Sequence, residues 1–131
     1  MHRRVLTAVF ASFFLLLAGC RGAAPVYNIT STPVVTNKPA TIDDVQKAIS
    51  RAGVTLGWHM APLEPGRMEG VLVLRTHRAV VDIAYDTRMY SIQYKDSSNL
   101  NYDPDGKTIH ANYNGWIQNL DKAIRAQLSL L

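Results

Sequence analysis

The chain has 131 residues, 47% of them hydrophobic, with six tyrosines and two tryptophans; that is enough for one packed domain and too little for two. The formal charge is +4, but it falls to +2 once Arg3 and Arg4 of the N-terminal segment are set aside, leaving twelve basic against ten acidic residues; so weak and scattered a charge argues against nucleic acid as a partner. The one cysteine, Cys20, excludes an intrachain disulfide, so the domain must hold by packing alone.

Residues 1–20 read as three zones: a positive start at Met1-His2-Arg3-Arg4, an apolar run over 5–17, and Leu17-Ala18-Gly19-Cys20. The run is too short to cross roughly 30 Å of hydrocarbon as a permanent helix and lies at the terminus, so it is expected to be a signal peptide over 1–19. The small residues let an extended chain enter a peptidase, and the cysteine behind them supplies a thiol. Leu17-Ala18-Gly19-Cys20 resembles the lipobox of bacterial lipoproteins at all four positions. That resemblance implies diacylglycerol on the Cys20 sulfur, cleavage before Cys20, and a stable anchor from several acyl chains on one residue. Position 21 is Arg where inner-membrane retention resembles an Asp signal, which leans the expected location toward the outer membrane, facing the periplasm.

Residues 20–40 carry Pro25, Pro33 and Pro39 among Thr and Ser and read as the lipidated cysteine and a tether, with at most a short strand over 26–30. As a flexible coil of twenty residues it would span roughly 25 Å. Asn28-Ile29-Thr30 fits a glycosylation sequon by chance.

The remaining 41–131 is expected to be a single α+β domain. Thr41 caps a helix whose acidic Asp43 and Asp44 suit its positive end. Ile42, Val45, Ile49 and Ala52 share one face, and Gly53 is a natural stop. An alternating strand is expected over 54–60, then a turn region over 62–66. A strand over 68–75 turns at Thr76-His77 into a strand over 78–85, with Leu74 facing Ala79, Leu72 facing Val81 and Gly70 facing Ile83. A second turn at Thr87-Arg88 leads into 89–95, with Tyr85 facing Tyr90, Ile83 facing Ile92 and Val81 facing Tyr94. Both registers put Val81, Ile83 and Tyr85 on one apolar side, and leave Glu69, Asp82, Gln93 and Lys95 toward water. After a polar stretch over 96–113, a helix over 114–129 carries the stripe Ile117, Leu120, Ile124 and Leu128. The expected architecture is two-layered: an antiparallel sheet of about four strands with two helices packed on one face.

Few residues point to chemistry. Asn101-Tyr102-Asp103-Pro104-Asp105-Gly106 imitates the start of a calcium loop, but Asn112 stands where the bidentate Glu belongs and Asp-Pro-Asp-Gly is an ordinary turn. His59, His77 and His110 share no metal-ligand spacing, with His59 outward on its strand and His77 in a turn. Ser91, Ser97 and Ser98 lie in no Gly-x-Ser-x-Gly elbow. Asp82 and Asp86 could pair as acid and base, although Asp82 more readily meets an Arg or Lys across the sheet. No metal, cofactor or catalytic residue is therefore assigned.

The most distinctive stretch is Tyr90-Ser-Ile-Gln-Tyr94-Lys-Asp96-Ser-Ser-Asn99-Leu-Asn-Tyr102, followed by Ile109-His110-Ala-Asn112-Tyr113-Asn114-Gly-Trp116. It resembles a pattern in small lipoproteins of Gram-negative bacteria, in which a Tyr-Ser-Ile-x-Tyr strand leads to an Asp-Ser-x-Asn-Leu loop and then to Asn-Tyr-Asn-x-Trp opening the last helix. The resemblance covers about residues 54–125; it implies the fold and an envelope location and brings no activity. Aromatic rings beside Asn, Ser and Asp suit sugar or peptide recognition, which makes Asp96, Asn99, Tyr102, His110, Asn112, Tyr113 and Trp116 the candidate binding residues. The same mixture suits a self-satisfied loop in which Asn99, Asn112 and Asn114 bond backbone and Tyr113 and Trp116 pack beneath it. The leading expectation is a non-enzymatic envelope module, membrane-bound through Cys20, that contacts an envelope protein or the cell wall through the 96–116 loop and nearby sheet edge. The alternatives are a small envelope enzyme or ligand carrier using that loop, and a structural subunit marked by a large exposed apolar patch.

Overall fold

The computed structural model describes residues 22–131; the expected signal segment and Cys20 lie outside the described residues. The order is β1 (Ala23–Pro25), β2 (Ile29–Pro33), α1 (Ile42–Thr55), β3 (His59–Glu64), β4 (Arg67–Leu74), β5 (His77–Tyr85), β6 (Met89–Ser98), β7 (Thr108–His110) and α2 (Ala111–Leu128). The fold is α+β with antiparallel sheets, as expected. The main sheet has five strands in the order β2-β6-β5-β4-β3, and a second sheet pairs β1 with β7, against the single sheet of about four strands read from the sequence.

The extra strands come from the stretch expected to be a tether. Ile29 pairs with Ile92 and Pro33 with Met89 at one edge of the main sheet, while Ala23 to Pro25 pair with His110 to Thr108. Ile29 is buried in the core. Prolines fit an edge, where one side of a strand needs no donor. Residues 22–33 are therefore docked, and the 25 Å coil does not exist over that span.

α1 begins as expected: the Thr41 side chain accepts from the Asp44 amide while the Asp44 carboxylate accepts from the Thr41 amide, closing a capping box. These bonds to Thr41 hold the Asp44 carboxyl below the usual carboxylate range. Ile42, assigned to the core face, is instead exposed. Gly53 does not stop the helix. It is buried inside α1, and a Cβ there would overlap the Met60 thioether; its place is set by close packing. The stop is Gly57, whose φ of +86° is left-handed. The strand expected over 54–60 accordingly starts only at His59.

β5 and β6 pair in the expected register, with Tyr85 opposite Tyr90, Ile83 opposite Ile92 and Val81 opposite Tyr94. β4 and β5 pair two residues away from the expected register: Leu72 faces Ala79, Gly70 faces Val81 and Met68 faces Ile83. The turn is Arg75-Thr76, with Arg75 at φ +55°, so His77 opens a strand instead of lying in a turn. A slip of two leaves every side chain on its face, and Met68, Ala79, Val81, Ile83 and Tyr85 are buried as one surface. Against them pack Val45, Ala48, Ile49 and Ala52 of α1 and Ile117, Leu120, Ile124 and Leu128 of α2 in a single core. Burying such side chains is the main source of stability, at roughly 25 cal/mol per Å² of apolar surface.

The outward face carries an ion-pair lattice. Arg67 bridges Glu64 at 3.2 Å and Asp82 at 3.4 Å, and Lys95 meets Glu69 at 2.7 Å. Asp82 thus finds the cross-sheet cations expected of it. Such exposed pairs contribute little to stability.

Candidate functional site

The 96–116 stretch is shorter as a loop than its polarity suggests. β6 runs on to Ser98, and α2 begins at Ala111, three residues before the expected start. Between them Asn99, Asn101 and Lys107 take left-handed φ values of +58°, +52° and +50°, a conformation that Asn tolerates better than most residues. Buried Leu100 pins the segment, and its carbonyl accepts from the His110 amide. The Asp103-Pro-Asp-Gly sequence is a turn: Asp103 and Thr108 exchange backbone bonds, and the Asp103 carboxylate accepts from the Asp105 amide at 2.9 Å. No group of three or more His, Cys, Asp or Glu is placed to hold a metal among the described residues.

The seven candidate residues fall into three places. Tyr102 and Tyr113 belong to an aromatic group built around Tyr94. The Tyr102 ring stacks on Tyr94 with centroids 4.2 Å apart, and Tyr113 meets Tyr94 edge-on at 5.7 Å. The exposed Tyr102 and half-buried Tyr94, with Val26, Asn28 and Lys107, line a groove of about 200 Å³. Tyr113 lies beneath and is fully buried, out of reach of any ligand. Its hydroxyl has no hydrogen-bond partner among the described residues, and burial pushes its pKa well up. Burial also raises Tyr94, whose hydroxyl lies 2.8 Å from Ser97 Oγ.

Asn99, His110, Asn112 and Trp116 gather with His77 at the end of the sheet. His77 Nδ1 donates to the Asn99 carbonyl at 2.7 Å, and Asn99 Nδ2 donates to Thr76 Oγ1 at 2.7 Å. His110 caps α2, its Nδ1 accepting from the Asn112 amide at 3.2 Å. The His77 ring lies 6.4 Å from that of His110 and 6.3 Å from that of Trp116. Trp116 is half-buried against the core.

Asp96 is in neither group. The register shifts between Val80 and Val81, so that Val80 faces Asp96 while Val81 faces Tyr94, and Lys95 is the extra residue. This bulge turns Asp96 to the outward face, where its carboxylate meets Arg78 at 3.3 Å.

The long-range partners of Asn114 and Asn28 escaped the sequence. Asn114 clamps the N-terminal strand, accepting from the Tyr27 amide at 3.0 Å and donating to the Pro25 carbonyl at 2.8 Å. Asn28 Oδ1 accepts from the Tyr94 amide at 2.9 Å. Sequence separations of 66 to 89 residues hide these bonds from local pattern. Asn114 was expected to bond the backbone of its own loop and bonds that of the N-terminal strand instead, while the Asn99 side chain bonds Thr76 Oγ1.

Of the serines and carboxylates set aside earlier, Ser91, Ser97, Asp82 and Asp86 are engaged structurally. Ser91 Oγ accepts from the Ser31 amide. The Asp86 carboxylate accepts from the Arg88 and Met89 amides, which lowers its pKa. Asp86 also lines a larger hollow of about 270 Å³ with Tyr85 and Tyr90, with its Oδ1 taken up by those two amides. Buried Asp121 accepts from Tyr90 Oη and, at 2.7 Å, from Arg125; burial and this contact raise the Tyr90 pKa. Among the described residues no helix is long and apolar enough to cross a membrane. Compared with known proteins, the chain matches no family model, no curated protein and no solved structure.

Proposed function

We propose that the chain is a lipid-anchored module of the bacterial cell envelope, held by acyl chains on Cys20, and that it binds a partner instead of catalysing a reaction. The anchor reading is supported by Leu17-Ala18-Gly19-Cys20 behind a short apolar run. Arg at position 21 favours the outer membrane, with the domain facing the periplasm.

The observation that carries the binding role is the division of labour around Tyr94. Near the 96–116 segment the His77 and His110 imidazoles, the Asp96 and Asp103 carboxylates and the Tyr94 and Ser97 hydroxyls hold structural partners. Around one groove the exposed Tyr102, the Lys107 ammonium and the Asn28 Nδ2 hold no partner among the described residues, Asn28 Oδ1 being taken by the Tyr94 amide. A ring face with neighbouring donors suits a peptide or glycan of an envelope protein or the cell wall.

A photoreactive residue at position 102, in growing cells, should crosslink to one envelope component, and the adduct should weaken when Lys107→Ala is added. The same residue at Gln93, exposed on the outward face, should give none. Equal yields at the two positions would contradict the assignment.

A further inference from the structure

We propose that the end of the domain formed by the α1 C-terminus, the β4–β5 turn and the first turns of α2 rests directly on the lipid surface that holds the anchor. The inference rests on the anchor reading above and adds which face touches the membrane.

The first support is where the chain leaves the fold. Gly22 is fixed: its carbonyl accepts from the Ala111 amide at 2.6 Å, and a Cβ on it would lie 3.6 Å from the His110 ring. Cys20 is two residues away, so covalent geometry alone limits its distance from Gly22 to about 7 Å. Headgroups are about as thick as that reach, so a domain tied there cannot stand off. The face around Gly22, His110 and Ala111 must lie at the interface.

The second support is the chemistry of that face. Leu56 is 41% exposed and Leu74 is 48% exposed, large apolar side chains with no covering element. Leu56 shares a small cleft with Trp58, Leu72, Trp116 and Asn119. Leu74 pairs with His77, whose ring lies 6.3 Å from Trp116. Arg75 stands at the tip of the turn and makes no ion pair among the described residues. The three segments 52–58, 72–78 and 110–116 contain no Asp or Glu, and although Arg78 is met by Asp96 at 3.3 Å, Arg75 is left as an uncompensated cation at this end among the described residues. Leucines and an indole at the acyl boundary with arginine among anionic headgroups is the pattern of an interfacial surface. The Tyr102 groove stays beside this end and open to a partner.

The test uses the mature lipidated chain in vesicles of phosphatidylethanolamine and phosphatidylglycerol. Acylation of Cys20 leaves no free thiol, so Leu74→Cys and, at the opposite end of the sheet, Met89→Cys can each carry one fluorophore. Brominated lipid should quench the label at 74 and leave that at 89 bright, while aqueous iodide should do the reverse. If the chain floats with the vesicles and both labels respond to iodide alone, the inference is overturned and the anchor stands. If the label at 74 is shielded from iodide yet ignores brominated lipid, a second copy covers that end, and the inference is again overturned. A chain that does not float with the vesicles overturns the anchor and the inference together.

Discussion

At the scale of single residues, the polar groups inside this domain differ in how well they are satisfied, and the differences are measurable. Tyr113 buries a hydroxyl without a partner among the described residues, which costs about 1–3 kcal/mol of desolvation. Tyr113→Phe should therefore be neutral or stabilising by about 1 kcal/mol in urea unfolding. Tyr90 is the contrary case, because its hydroxyl donates to the buried Asp121 carboxylate; Tyr90→Phe should destabilise by about 2 kcal/mol, as for a bond to a charged group. Both phenols, with Tyr85 and Tyr94, have pKa values raised by burial above the ordinary value of 10.0. A raised folded value means that the unfolded chain loses the proton first. Stability should hold below about pH 10 and fall above it, and the fall should be shallower in the Tyr90→Phe variant. A loss of stability from these groups already at neutral pH would contradict the assignment. Asp96 shows the limit of reading residues singly. Its charge and its place in the motif were visible, but the bulge at Lys95 that turns it from the core side to Arg78 was not.

At the scale of elements, legibility followed from whether a local signal distinguished the alternatives. The β5–β6 register was legible because Asp86 closes the turn on the Arg88 and Met89 amides and because the alternation on both strands agrees. The β4–β5 register was ambiguous by two residues, since both pairings bury the same face; only the left-handed Arg75 settles it. Helix α2 announced itself through a four-residue apolar stripe. In α1 the glycines exchanged roles: Gly57 ends the helix, and Gly53 makes room for Met60. Gly53→Ala should gain up to about 1 kcal/mol of helix propensity but lose more through overlap with Met60. In a Met60→Ala background the same change should become stabilising, and a double-mutant cycle would read the sign reversal. The N-terminal strands were illegible for a different reason. Their few residues gain order only from partners far along the chain, chiefly Asn114 and the backbone of β6 and β7. Asn114→Ala should destabilise the domain by about 1 kcal/mol and speed amide exchange at Val26 and Tyr27 well before the rest of the sheet responds. Unchanged exchange there would show that pairing with β7 suffices.

At the scale of the whole molecule, docking of residues 22–33 alters what the proposed anchor would do. A free tether would let the domain explore a volume roughly 25 Å deep. Under the proposed anchor, a chain fixed at Gly22 would instead set both the height and the orientation of the domain, so that one end would face lipid with the Tyr102 groove beside it. The domain would then act as an oriented contact surface close to the membrane, which suits recognition of something also held there. The candidate residues divide along the same line: Asn99, His110, Asn112 and Trp116 toward the end that holds Gly22, Tyr102 toward the groove, Asp96 outward, and Tyr113 in the core.

All of this depends on lipid at Cys20, and intact-mass spectrometry of the mature chain from membranes measures it directly. The polypeptide should begin at Cys20 and carry diacylglycerol on its sulfur, and Cys20→Ser should be absent from the detergent-extracted fraction. A chain that keeps residues 1–19, or one that begins at Cys20 with a free thiol, would contradict the account.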